Sequence, residues 1–159
     1  MWRRILVPLD GSARGETVVP GVVLLAMRCR AMVLLLRVVR AHRRPGADPI
    51  ETQVRVLTQA ETYLADVERR LVAQGLRVDP AVRYGPAAET ILDHAAVRKA
   101  DVIVMARPSS RLAALATPFG GIVGAVLRKS PVPVLLLPPM PMPQERVGAP
   151  AGMALPAAA

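Results

Sequence analysis

The chain alternates short, almost wholly apolar runs with amphipathic stretches, and this alternation constrains its fold more than any other feature. ILVPL (5–9), MVLLLRVV (32–39), DVIVMA (101–106) and PVPVLLL (131–137) have the pattern of strands covered on both faces. LRVDPAVRY (76–84) reads as a more polar strand whose Pro80 suits an edge position. Between them lie helical patterns. One runs from about Ala13 to Cys29, with a bend or break expected near Pro20-Gly21. A second, Glu51 to Gln74, carries Leu57, Ala60, Leu64, Val67 and Leu71 on one face and stops at Gly75. A third follows Pro86, with Ala88, Ile91, Leu92, Ala95 and Ala96 as its apolar stripe, and a fourth lies around 121–129. Strand–helix alternation of this kind predicts an α/β fold, a parallel sheet with helices on both faces.

In such sheets ligands sit outside the carboxyl ends of the strands, where strand order reverses. Three places qualify: Asp10 after the first strand, Val38-Val39 closing the second, and the loop after Met105. That loop, MARPSSRLAALATPFGG (105–121), has the small residues and closing Gly-Gly of a phosphate-holding turn, but not its usual lysine.

Composition narrows the functional classes. At 159 residues the chain fits one domain, and 52% hydrophobic residues exclude wholesale disorder. Aromatics are only 3%, so the core must be built from Val, Leu, Ile and Ala. No apolar stretch reaches the roughly 18 residues of a membrane span, and the N-terminus reads as a strand rather than a signal peptide. The single cysteine, Cys29, excludes an internal disulfide and suits a reducing, cytoplasmic setting. Residues 139–159, rich in Pro and Ala without periodicity, are expected to form a disordered tail.

The net charge of +9 comes from 21 basic residues, 19 of them arginine, scattered along the chain. The densest cluster, RVVRAHRR (37–44), has no aromatic partner for base stacking. A positive surface attractive to anionic ligands is therefore expected, rather than a nucleic-acid interface. His, Cys and carboxylates do not recur at metal-ligand spacing, so no metal site is expected. A Walker-type loop, a Ser/His/Asp pattern and paired carboxylates are all missing. The sequence thus does not predict an enzyme, while slow hydrolysis of a held ATP stays open.

Three segments, matching in order and spacing, resemble the universal stress protein family. ILVPLDGS resembles its first strand and turn. VRYGPAAETILDHAAVRKADVIVMA resembles its third strand end, third helix and fourth strand, and GAVLRKSPVPVLLLP its closing helix and last strand. The resemblance reaches to about residue 138, making 1–138 the domain. It implies an open, Rossmann-like five-stranded parallel sheet ordered 3-2-1-4-5. It also implies a stress-response protein that binds ATP and forms a homodimer through the last strand (131–137). Pro8, Leu9, Val38 and Met105 would line the adenine slot. Asp10 would meet the ribose or a water-held Mg2+. Ala106, Arg107, Ser109, Gly120, Gly121, Ile122 and Val123 would form the phosphate loop and the helix start behind it.

The loop departs from the family pattern. Ala106 and Ser109 stand where ATP-binding members have glycines, Gly121 where they have Ser or Thr, and the spacing is one residue longer. A residue strained at such a position costs about 1–3 kcal/mol, and a lost hydroxyl–phosphate bond about 1.5–3 kcal/mol. Arg107 and Arg111 supply compensating charge. Two functions follow: a nucleotide sensor acting through the Arg107–Phe119 segment, or a dimeric interaction module that no longer binds nucleotide and serves an unidentified protein partner. Several residues also have plainer readings. Asp10 can cap the next helix, Val38 can be simple core, Gly120-Gly121 can be a tight turn, and Arg107 and Arg111 can be surface. His94 reads as packed or half-exposed, and Cys29 as a helix-end residue.

Overall fold

The computed structural model describes residues 1–40, 48–107 and 121–140. Five strands, β1 (Arg4–Pro8), β2 (Met32–Val39), β3 (Arg77–Tyr84), β4 (Val102–Ala106) and β5 (Val134–Leu137), form one parallel sheet ordered β3-β2-β1-β4-β5. The connecting helices are α1 (Ala13–Glu16), α2 (Val19–Cys29), α3 (Pro49–Val72), α4 (Ala87–Val97) and α5 (Gly121–Lys129). This is the fold class expected from the alternation and the strand order implied by the family resemblance.

Alternate residues of the apolar runs serve the two faces, as the pleat requires. Ile5, Val7, Val33, Leu35, Val102 and Val104 pack beneath α2 and α3, against residues such as Val22, Leu64 and Val67. Leu6, Leu34, Leu36, Ile103 and Met105 pack on the other side against Ile91 and Ala95 of α4 and Val126 of α5. The stripe expected on α3 is largely buried, with Ala60, Leu64, Val67 and Leu71 nearly inaccessible. Asp48 caps that helix by accepting from Ile50 N at 2.8 Å, so it starts two residues before Glu51.

Three local expectations need correction. The first helical stretch is interrupted at Thr17-Val18, not at Pro20-Gly21. Pro20 sits in the first turn of α2, where its missing N–H costs nothing. Gly21 is there for a packing reason, since a Cβ at this position would lie 2.5 Å from Leu137 Cδ1 and 3.0 Å from Met140 Sδ. On α4, His94 rather than Ala96 faces inward, because 91, 94 and 95 share a face at helical spacing and 96 does not. The last strand is shorter than 131–137, spanning only Val134–Leu137 on the sheet edge. Met140 N donates to Thr17 O at 3.2 Å, so the start of the tail is held against the α1–α2 junction. Residues 141–159 lie outside the described part.

Asp101 ties the sheet together where β1 begins. Its Oδ2 accepts from Arg3 N at 2.7 Å and Arg4 N at 2.8 Å, while its own N donates to Arg4 O. These amide bonds hold its carboxyl below the usual range.

His94 is 5% exposed, and both burial and the Arg83 charge depress its pKa from 6.5. The folded state therefore resists protonating this imidazole, whereas the unfolded chain takes the proton from pH 6.5 downward. Stability contributed by the neutral form is complete above that pH and is lost as pH falls toward the folded value. We predict a lower urea midpoint at pH 5.5 than at pH 7.5, and a smaller difference in His94→Leu. Equal losses in both proteins would remove His94 as the cause.

Candidate functional site

The sheet opens where its strand order reverses. β1 pairs with β2 along its whole length, and Leu9 N extends the ladder by donating to Leu36 O at 2.8 Å. With β4 it pairs only at Ile5–Val102 and Leu6–Ile103. The crossovers leave β1 and β4 on opposite faces, so their carboxyl ends separate and a crevice forms between them. The cleft measures about 550 Å³, within the range of roughly 300–1,000 Å³ typical of small-molecule sites.

Eight of the residues singled out in the sequence meet in this cleft: Pro8, Leu9, Asp10, Val38, Met105, Ala106, Ile122 and Val123. They come from three strand ends and the first turn of α5, so only the tertiary fold joins them. Arg107 stands apart from the lining. Its N donates to Leu137 O at 2.8 Å, continuing the β4–β5 ladder, and its side chain is exposed. Gly121 opens α5 with a left-handed φ of 71° and is likewise not on the cleft wall. Ser109, Arg111 and Gly120 lie outside the described residues.

Asp10 does not cap the following helix itself. Ser12 is the N-cap, accepting from Gly15 N at 2.9 Å. Asp10 Oδ1 in turn receives Ser12 N at 2.9 Å and Ser12 Oγ at 2.6 Å, which fixes the cap's orientation. Neither bond uses Oδ2. Partial burial pushes the Asp10 pKa up, but the Ser12 bonds and the Arg37 charge outweigh it, so the group stays ionised below the usual range. The cleft thus holds a fixed negative charge and an acceptor atom suited to hydroxyl donors.

The cleft also contains residues that the sequence reading did not assign to it. Gly15 lies against Asp10, and a Cβ there would overlap Asp10 Oδ1. Val56 and Gln59 arrive from α3, and Ala87 and Ile91 from α4, by packing that no local pattern reveals. Arg37 and Arg40 did leave a signal. Arg37 is the one charge in an otherwise apolar strand, and a half-buried arginine there has to face something polar. Its Nη1 points to Leu9 O at 3.5 Å, and its charge acts on Asp10. The cleft therefore combines apolar walls with one carboxylate and two guanidinium groups. Among the described residues no three His, Cys, Asp or Glu side chains are grouped to hold a metal ion. No described helix is long and apolar enough to cross a membrane.

Gly15 and Asp10 should be energetically coupled. Gly15→Ala is expected to cost about 1–3 kcal/mol by displacing the carboxylate or the first turn. In an Asp10→Ala background the same change should cost clearly less, as chemical denaturation of the four proteins in a double-mutant cycle would show. Additive losses would mean that the two groups do not touch in solution.

The model of the universal stress protein family matches residues 1–138. No curated protein sequence matches the chain. Among solved structures, a universal stress protein family member from Burkholderia pseudomallei shares 25% identity over 86% of this chain and 96% of its own, with a TM-score of 0.67. A universal stress protein in complex with cAMP shares 19% over 87% and 98%, with a TM-score of 0.66. A family protein from Arabidopsis thaliana with AMP bound shares 12% over 86% and 91%, with a TM-score of 0.64. The fold, the crevice at its switch point and a family match that runs from Met1 to the end of the sheet lead to one assignment: the chain belongs to the universal stress protein family.

Proposed function

We propose that this chain is a stress-response regulatory protein that binds an adenine nucleotide, ATP in particular, in the cleft between β1 and β4. The observation that carries this reading is the cleft's composition. Val38, Met105, Ile122 and Val123 offer apolar contact to a flat base, and Asp10 offers an acceptor for ribose hydroxyls. Arg37 and Arg40 bring positive charge to the same space, which favours a phosphorylated ligand over a free nucleoside. The cAMP and AMP complexes of proteins with this fold support the same class of ligand. In this reading Asp10 would orient a Mg2+ through water, as a single carboxylate commonly does beside substrate phosphates.

In this reading the protein is cytoplasmic and does not act as an enzyme. It signals through the Arg107–Phe119 segment and through a homodimer made by β5. That strand supports dimerisation because it is a half-buried edge strand made of Val and Leu. A nucleotide would shift the segment only by its difference in affinity for two states.

One observation favours the second reading, an interaction module without nucleotide. Arg107 N is already committed to Leu137 O, so the start of the loop offers that amide to no phosphate. Calorimetric titration decides between them. Nucleotide-stripped protein is expected to bind ATP with magnesium saturably. Ile122→Asp, which places a carboxylate on an exposed part of the wall, should weaken binding about tenfold or more. The absence of heat and of thermal stabilisation at millimolar ATP would favour the interaction module.

A further inference from the structure

The opposite end of the sheet carries a second concave site. We infer that a cavity of about 470 Å³ at the amino ends of β1, β2 and β3 binds an oligophosphate chain. It is lined by Arg3, Arg4, Cys29, Arg30, Met32 and Arg77, so four of its six residues are arginines. The parallel register builds it. Arg4 pairs with Met32 and Met32 with Arg77, which sets the two arginines in one row on the same face, two strands apart. Arg30, in the left-handed cap of α2, and Arg3, just before β1, close the ring.

Asp101 offsets part of the charge of Arg3 and Arg4, whose charges add to the backbone bonds in lowering its pKa. Among the described residues no carboxylate forms an ion pair with Arg3, Arg4, Arg30 or Arg77. Asp101 Oδ2 is occupied by the backbone amides of Arg3 and Arg4. Asp79, two residues along β3 from Arg77, is paired with Arg98. The contacts the arginines do make are to helix-end carbonyls, Arg4 Nη1 to Arg98 O at 2.9 Å and Arg77 Nη2 to Arg30 O at 3.3 Å. Such contacts orient a guanidinium and leave its remaining donors for an anion.

The charge selects the ligand. Four guanidinium groups lining one cavity carry more charge than a single phosphate balances, and a chain of three phosphates matches them more closely. The cavity has no aromatic side chain on which a nucleobase could stack, which argues against nucleic acid. The site is separate from the proposed nucleotide cleft, since it lies at the other end of the strands.

Titration with inorganic tripolyphosphate tests the site. Saturable one-to-one binding is expected, weakened about tenfold or more in Arg30→Gln/Arg77→Gln. It should be nearly unchanged in Arg55→Gln/Arg69→Gln, which removes the same charge from the exposed face of α3. ATP displacing tripolyphosphate would make a nucleotide tail the source of the chain, and failure to displace it would point to inorganic oligophosphate. Either result keeps the site. Four results would overturn it: no saturable binding, equal loss in both double variants, loss confined to Arg37→Gln, or binding of RNA oligomers only. Since nucleotide affinity depends on the other end of the sheet, these results stand apart from those that test the cleft.

Discussion

Everything in this molecule depends on the burial of β1 on both faces and both edges. Ile5, Leu6 and Val7 are fully excluded from solvent, with β2 on one side and β4 on the other. A strand in that position must be short, apolar and parallel to its neighbours, and its chain must leave through one end of the sheet. Because the crossovers on either side of it take opposite faces, its carboxyl end separates from β4 beyond Leu6–Ile103. The cleft is the geometric consequence. Asp10 is the first residue of β1's continuation to escape burial, and it is charged.

How much of this is written locally differs from element to element. The strands were legible because a doubly covered strand has no room for polar side chains, and α3 was legible because its inner stripe is long and regular. The interruption before α2 was misplaced because Pro20 reads as a breaker within a helix but as a starter in its first turn, and sequence alone does not locate that turn. His94 reads as packed or half-exposed and proves packed, and the sequence does not separate those two readings. Its inward position follows from where α4 begins, and a histidine on a stripe of alanines does not say whether it faces in or out.

The site was legible in its strand-end residues and not in its side walls. Pro8, Leu9, Asp10, Val38 and Met105 lie where strands end, so the switch-point rule finds them. Val56, Gln59 and Ala87 come from helices whose placement across the sheet depends on total packing, and no spacing announces them. Arg37 falls between. A charge inside MVLLLRVV conflicts with the strand around it, and such local conflicts tend to mark functional positions. Gly15 illustrates a limit of another kind, because its lack of a side chain matters only through the carboxylate that fills the space. The arginines behave in the same way. Arg3, Arg4, Arg30 and Arg77, scattered in sequence, meet at one end of the sheet, and Arg37 and Arg40 at the other, because parallel register brings residues far apart in the chain together.

The central claim is that the β1–β4 cleft is an adenine nucleotide site. Methyl-resolved NMR of the labelled protein during addition of ATP and magnesium tests it most directly. The account predicts saturable shifts at Leu9, Val38, Met105, Ile122 and Val123, with the methyls of Val67 unmoved. Unchanged spectra at millimolar ATP, or shifts confined to residues remote from this cleft, would contradict it.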